Sequence, residues 1–179
     1  MTKTLFIAVT VGAILLGSSA MGQVTRDTDY YPYGFSVKGG LFLPFDNDLS
    51  DVDTIWGSLG VEYSLGSNLF RGSETFLTAD WMFRTTNSSI NVFPLAINQR
   101  FWGGPGSSLF GGQGRSFFSV GVGTVFVEHP KAQGRWMVRG SVGTTLGERT
   151  FLEGTVFISD TTQDHITASG ATFTVGYRF

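Results

Sequence analysis

Apolar and polar residues alternate along most of this chain. Eight segments carry the pattern, and in each the apolar set falls on every second position, as expected of a strand with two unlike faces. Residues 34–45 place Phe35, Val37, Leu41 and Leu43 on one face, and residues 55–65 place Ile55, Leu59, Val61 and Tyr63. In 75–85 the set is Leu77, Ala79, Trp81 and Phe83, and in 90–101 it is Phe93, Leu95 and Ile97. Residues 116–128 contribute Phe118, Val120, Val122 and Phe126, and residues 135–146 contribute Trp136, Val138 and Val142. Leu152, Val156 and Ile158 follow in 150–159, and Phe173, Val175, Tyr177 and Phe179 in 166–179. Turn-forming clusters separate the segments, among them Asp46-Asn47-Asp48, Gly66-Ser67-Asn68, Asn87-Ser88-Ser89, His129-Pro130-Lys131 and Gly147-Glu148-Arg149. Short strands at this regular spacing predict an all-β barrel or sandwich. The segments are about ten residues long, which suits a tilted strand crossing a bilayer.

The charges obey the same period. Lys38, Glu62, Asp80, Arg84, Arg100, Arg139, Glu153 and Arg178 lie inside the segments, and each sits on the phase opposite its apolar set. Glu128 departs from the rule at a segment end beside His129. One face is therefore charge-free, while the other mixes charges with small residues such as Ser36, Gly60, Ser64, Thr78, Ser141 and Gly176. A soluble barrel buries the apolar face; a membrane barrel turns it to lipid and keeps the polar face inside. Alternation alone does not choose between them.

Composition narrows the choice. The chain has 179 residues, 25 Gly, 17 Phe, no Cys and a formal net charge of −2. Without Cys there is no disulfide framework and no thiolate metal site. The charge balance offers no basic footprint for nucleic acid. Residues 1–22 read as a cleavable signal peptide: Lys3, an uncharged stretch over 5–16, then Gly17, Ser18, Ser19, Ala20, Met21 and Gly22. Cleavage before Gln23 or before Met21 both fit, and a retained anchor is the alternative. Residues 23–33 are expected to be a periplasmic N-terminal segment and 34–179 the barrel. Aromatics cluster near segment ends as two girdles would: Tyr31, Tyr33, Phe35, Tyr63, Phe101, Trp102 and Phe117 in one set, Trp56, Trp81 and Trp136 in the other.

The chain ends on Phe173-x-Val175-x-Tyr177-x-Phe179. This resembles the C-terminal assembly signal of bacterial outer-membrane barrels. The run Val92-Phe93-Pro94-Leu95-Ala96-Ile97-Asn98-Gln99-Arg100-Phe101-Trp102 resembles the fourth strand of the small OmpX, OmpW and OmpA type barrels. Ser119-Val120-Gly121-Val122-Gly123 is similar to that family's fifth strand, and Phe151-Leu152-Glu153-Gly154 with Thr174-Val175-Gly176-Tyr177-Arg178-Phe179 to its closing hairpin. The resemblance implies an all-β, eight-stranded antiparallel up-and-down transmembrane β-barrel in the outer membrane of a Gram-negative-type bacterium. It also implies periplasmic termini, recognition of the last strand by the barrel-assembly machinery, and contact with outer-membrane lipids and lipopolysaccharide. A monomer is expected, with no cofactor and no nucleic acid partner. The family is functionally mixed, so no activity follows from the fold.

Eight strands leave an interior about filled by side chains. Buried charges there must be paired, so Glu62, Asp80 and Glu153 are each expected to meet an Arg or Lys. Such a network either fills a polar core or gates a narrow, porin-like path. Asp46, Asp48, Asp51 and Asp53 form an acidic segment that departs from an EF-hand loop, since Asp51 and Gly57 stand where Gly and Glu are required. It reads as a solvated loop, or as a bridge through divalent cations to lipopolysaccharide phosphates. His129 and His165 are the only histidines. Neither has a Ser two residues away on its own face, which argues against a Ser–His lipid-modifying enzyme; no catalytic or metal residue is assigned. The six-Gly connection 103–114 reads as a flexible linker. Besides a structural or interaction role, the alternatives are a narrow pore or solute carrier, a lipid A-modifying enzyme, and a secreted soluble barrel.

Overall fold

Each of the eight alternating segments is a strand, and the strands close on themselves. The computed structural model describes residues 34–50, 53–66, 70, 73–84, 90–109, 114–128, 132–160 and 167–179. The expected signal peptide 1–22 and the segment 23–33 lie outside them. The strands are β1 (Phe35–Pro44), β2 (Trp56–Ser64), β3 (Ser73–Phe83), β4 (Asn91–Trp102), β5 (Ser116–Glu128), β6 (Ala132–Thr145), β7 (Thr150–Ser159) and β8 (Gly170–Arg178). A one-turn helix, α1 (Asn47–Ser50), follows β1.

All pairings are antiparallel between chain neighbours, and β1 closes the ring on β8, with Gly40 opposite Thr174. Closure leaves no edge strand to recruit another chain. The far end of the barrel carries the connections after β1, β3, β5 and β7. The near end carries Phe35 and Arg178 and the connections after β2, β4 and β6. No helix among the described residues is long and apolar enough to cross a membrane.

Burial follows the two-residue period and settles which face is inside. Leu41, Leu59, Val61, Leu77, Leu95, Ile97, Val120, Val122, Val138, Phe173 and Val175 are all exposed on the outer surface. Lys38, Glu62, Asp80, Arg84, Arg100, Arg139 and Glu153 are buried inside, and Arg178 is partly so. A soluble barrel would show the reverse.

The outer face is charge-free in its belt but not wholly apolar. Near its near end Thr75 Oγ1 donates to Gln99 Oε1 at 2.8 Å, Gln99 Nε2 to Ser73 Oγ at 2.5 Å, and Ser73 Oγ to the Phe70 carbonyl. The three side chains satisfy one another, as polar groups without water must.

Two expectations need correction. Trp56, Phe117 and Trp102 do not belong to the outer girdles: Trp56 and Phe117 are buried inside the barrel, and Trp102 lies there beside Phe117 and Arg100. They lie on the phase opposite the exposed apolar set of their strands, so the pleat turns them inward whatever their position along the strand. The linker 103–114 is not free where it is described. Ser116 N donates to Ser107 Oγ at 3.0 Å, Ser108 Oγ lies 3.0 Å from Thr144 Oγ1, and Arg115 N donates to Thr145 Oγ1 at 2.8 Å. These bonds fold the connection back onto the ends of β5 and β6.

Candidate functional site: the barrel interior

The interior is built in three layers. The middle layer is a chain of ion pairs. Lys38 Nζ lies 3.3 Å from Glu62 Oε1, 3.3 Å from Asp80 Oδ1 and 3.1 Å from Glu153 Oε1. Arg139 Nη1 meets Asp80 Oδ2 at 2.9 Å and its Nη2 lies 3.7 Å from Glu153 Oε1. Arg100 Nη2 meets Glu62 Oε2 at 2.8 Å and lies 3.5 Å from Glu153 Oε2. Three cations thus interleave with three carboxylates donated by β1, β2, β3, β4, β6 and β7.

Small residues make the room. Lys38 stands opposite Gly60, and Gly60 stands opposite Asp80. A Cβ at Gly60 would overlap Asp80 Oδ1, so the lysine reaches across an empty position. Hydroxyls complete the shell: Arg139 Nη1 donates to Thr78 Oγ1 at 2.8 Å, and Thr155 Oγ1 donates to Glu153 Oε1 at 3.0 Å.

The near layer is aromatic. The Arg100 guanidinium lies 4.1 Å from the Phe76 ring centre, 4.6 Å from Phe117, 5.5 Å from Trp102 and 5.9 Å from Phe151. Phe117 and Phe151 each lie against a strand position that has no side chain, Gly143 and Gly176. Glu74 extends the ion pairs outward, at 3.4 Å from Arg100 Nη1 and 3.9 Å from Arg178 Nη2.

The far layer is apolar. Phe42, Leu49, Trp56, Met82, Val92, Ala96, Val125, Val127, Met137, Phe157 and Ala168 form one buried cluster. Phe42 stacks on Phe157 at 5.6 Å and meets Trp56 edge-on at 5.7 Å. Leu49 reaches this plug from α1, whose turn is closed by Ser50 N donating to the Asp46 carbonyl at 2.9 Å. Asp46 Oδ2 in turn accepts from Thr167 N at 2.7 Å, which ties the first far-end connection to the chain entering β8.

Seven of the eight charged positions named from sequence thus stand in or beside carboxylate–cation contacts, and Arg84 has none among the described residues. It lies at the plug, its guanidinium 4.9 Å from the Trp56 ring centre. Sequence reasoning missed Glu74, because β3 begins two residues before the expected segment. It also missed the plug and the aromatic layer. The signal for these was present: Phe42, Phe76, Phe151 and Phe157 share the phase of the charges on their own strands, and Phe117 lies opposite the apolar set of β5.

Of the acidic segment, Asp46 and Asp53 are described, and the Asp53 carbonyl accepts from Trp56 Nε1 at 2.9 Å. The Asp48 side chain and Asp51 lie outside the described residues, as do His129 and His165. Phe173, Val175 and Tyr177 line one outer face of β8, and Phe179 follows it, 6.0 Å from the Phe35 ring.

Apolar outside and charged within, the molecule belongs to the class of closed antiparallel β-barrels with the polarity of membrane proteins. No family model and no curated protein sequence matches the chain. Among solved structures, it is similar to the N-terminal β-barrel domain of Pseudomonas aeruginosa OprF (12% identity, covering 82% of this chain and 97% of that one, TM-score 0.48). It is similar also to the Yersinia pestis outer membrane protein Ail (9% identity, 83% and 100% covered, TM-score 0.49) and to the outer membrane protein OprG of Pseudomonas aeruginosa (12% identity, 82% and 95% covered, TM-score 0.48).

Proposed function

We propose that this chain is an integral bacterial outer-membrane β-barrel with a structural or interaction role and a closed interior. The observation that carries the reading is the inversion of polarity. A continuous outer belt of Leu, Val, Ile and Phe is exposed, while buried lysine, arginine and carboxylates fill the centre. In water that belt is a large apolar surface with nothing covering it; in a bilayer it is the surface lipid requires. Trp81 and Trp136 are exposed toward the far end of the belt, and Phe35, Tyr63 and Tyr177 toward the near end, where interfacial aromatics belong.

The layered interior favours filling over conduction. A path through the barrel would cross the apolar plug, the ion-pair chain and the aromatic layer in succession. With periplasmic termini, the plug faces the cell exterior and the far-end connections are the surface that meets lipopolysaccharide and external ligands. The exposed apolar face of β8 and the terminal Phe179 form the strand offered to the barrel-assembly machinery. The test is a detergent gel of the isolated outer-membrane fraction, boiled and unboiled. A band whose apparent mass shifts on boiling supports the reading. A band confined to the soluble fraction, or no shift, contradicts it.

A further inference from the structure

Arg84 is the one lumen-phase cation named from sequence for which no carboxylate contact is described. It is 9% exposed, yet Nε, Nη1 and Nη2 are all shut from solvent and none has a hydrogen-bond partner among the described residues. Asp80, the nearest carboxylate on its own face of β3, is four residues away, about 13 Å along a strand at ~3.3 Å per residue. Both Asp80 oxygens already face Lys38 and Arg139. A buried guanidinium without an acceptor is costly, so the group calls for a hydrogen-bonding partner.

The group rests on an aromatic stack. Arg84 lies over Trp56, Trp56 packs edge-on against Phe42, and Phe42 stacks on Phe157. This aromatic stack gives the guanidinium a ring face and no hydrogen-bond acceptor. Apolar side chains make up most of the far layer, with the buried hydroxyls of Ser58, Ser159 and Ser169 at the same end, and the low dielectric strengthens any hydrogen bond the group makes. A planar fork of N–H donors matches the oxygens of a phosphate group two at a time.

We infer that Arg84, seated on Trp56 at the far mouth of the barrel, is a receptor for a phosphate-type oxyanion. The anion arrives from the far-end side and displaces what covers the donors there. Two sources carry this chemistry, a soluble phosphate and the phosphomonoester headgroup of a lipid. The site is defined by the barrel interior; only its facing the cell exterior rests on the outer-membrane reading.

The test uses the full mature chain folded in phosphatidylcholine nanodiscs, with ¹⁵N-labelled arginine and the Arg84 Nε resonance assigned through Arg84→Lys. Inorganic phosphate is titrated against chloride at equal ionic strength, and a parallel sample carries phosphatidic acid in the disc. A saturable movement of the Arg84 resonance with inorganic phosphate supports a soluble ligand, and movement with phosphatidic acid alone supports a headgroup. Arg84→Gln should then weaken phosphate binding about tenfold or more, the loss of one charge-assisted fork, with the boiling-dependent gel shift retained. An Arg84 resonance indifferent to both additions overturns the proposal, and this outcome needs no variant to fold. Failure of the membrane reading would show separately, in fractionation.

Discussion

Gly60 and Asp80 face each other across β2 and β3, and the missing side chain at Gly60 is what lets Lys38 Nζ come within 3.3 Å of Asp80 Oδ1. One strand thus contributes an absence that two others use. The position is intolerant for a steric reason and an electrostatic one together. Gly60→Ala should push the Asp80 carboxylate or the Lys38 stem aside. The expected loss is roughly 1–3 kcal/mol, the usual range for overpacking a tight core, read as a lower urea midpoint of the barrel folded in detergent. Gly39 is a matched control on the outer face of β1, where a Cβ meets only Leu59 at 3.4 Å and the Ser58 carbonyl at 3.8 Å. Gly39→Ala should leave the midpoint nearly unchanged.

Glu153 is the junction of the ion pairs, shared by Lys38, Arg100 and Arg139. Glu153→Gln keeps the shape and removes the charge, so three buried cations lose one of their counter-charges. The expected cost is about 3–5 kcal/mol, as for breaking a buried pair from one side. Arg178→Gln is the contrast. That side chain stands partly exposed at the barrel end, and its ion pair to Glu74 is 3.9 Å long. Its loss should cost about 1 kcal/mol or less. Equal midpoints for the two variants would mean that the junction does not hold the core.

The strand number and the two faces of each strand were legible because both rest on the two-residue period, while closure and the choice of inside face needed the signal-like N-terminus, the aromatic segment ends and the resemblance of the last strand. A charge on one phase fixes the whole strand, so Lys38 orients β1 and Glu153 orients β7. The boundaries were legible to within a few residues. β3 begins at Ser73 because its ladder with β4 runs on to Phe101, and this brings Glu74 opposite Arg100. What alternation does not carry is composition along the axis. Lys38 and Phe42 share a face and stand four residues apart, yet one sits in the ion-pair layer and the other in the plug. Trp56 illustrates the cost: its place near a strand end suggested an interfacial ring, while its phase already turned it inward. Arg84 was grouped with the paired charges on phase alone. Only the distance from Asp80 sets it apart.

The outer face can be tested by depth. Val122 lies midway along β5, 53% exposed, between Ile97 and Val138 on the neighbouring strands. In a bilayer Val122→Arg places a charge among lipid tails and should cost about 2–4 kcal/mol. Glu128 closes the same strand, exposed, and accepts from Asn91 Nδ2 at 3.1 Å. Glu128→Arg at that end should cost about 1 kcal/mol or less. The measurement is unfolding free energy in lipid. A flat profile along β5 would mean that this face meets water.

The residue that follows β8 separates assembly from stability. Phe179 is 68% exposed; its ring meets those of Phe35 and Tyr177 at 6.0 Å and 5.2 Å, and its N–H donates to the Phe35 carbonyl at 2.9 Å. Removing it strips no charge and empties no part of the interior. The shortened chain, refolded in detergent, should keep its boiling-dependent shift, while its yield in the outer-membrane fraction of cells should fall. If refolding fails as well, the residue serves the fold and the assembly reading loses its support.

Conduction is the sharpest test of the layered interior, because the layers lie one behind another. If the ion-pair chain alone closed the barrel, Glu62→Leu would break two contacts to Lys38 and Arg100 and raise current across a planar bilayer. With an apolar plug beyond it and aromatic rings before it, that variant should stay as silent as the wild type. Opening only the far side, by Phe42→Ala with Trp56→Ala, should also leave no current, since Phe76, Phe117 and Phe151 still surround Arg100. Current is expected when Phe117→Ala and Phe151→Ala are added, which unblocks both ends of the polar centre. Each truncation costs about 3–5 kcal/mol, so the boiling-dependent shift must be shown for every variant before its current is read. Steps from the plug variant alone would place the only barrier at the far mouth, and steps from the unaltered protein would make it a pore.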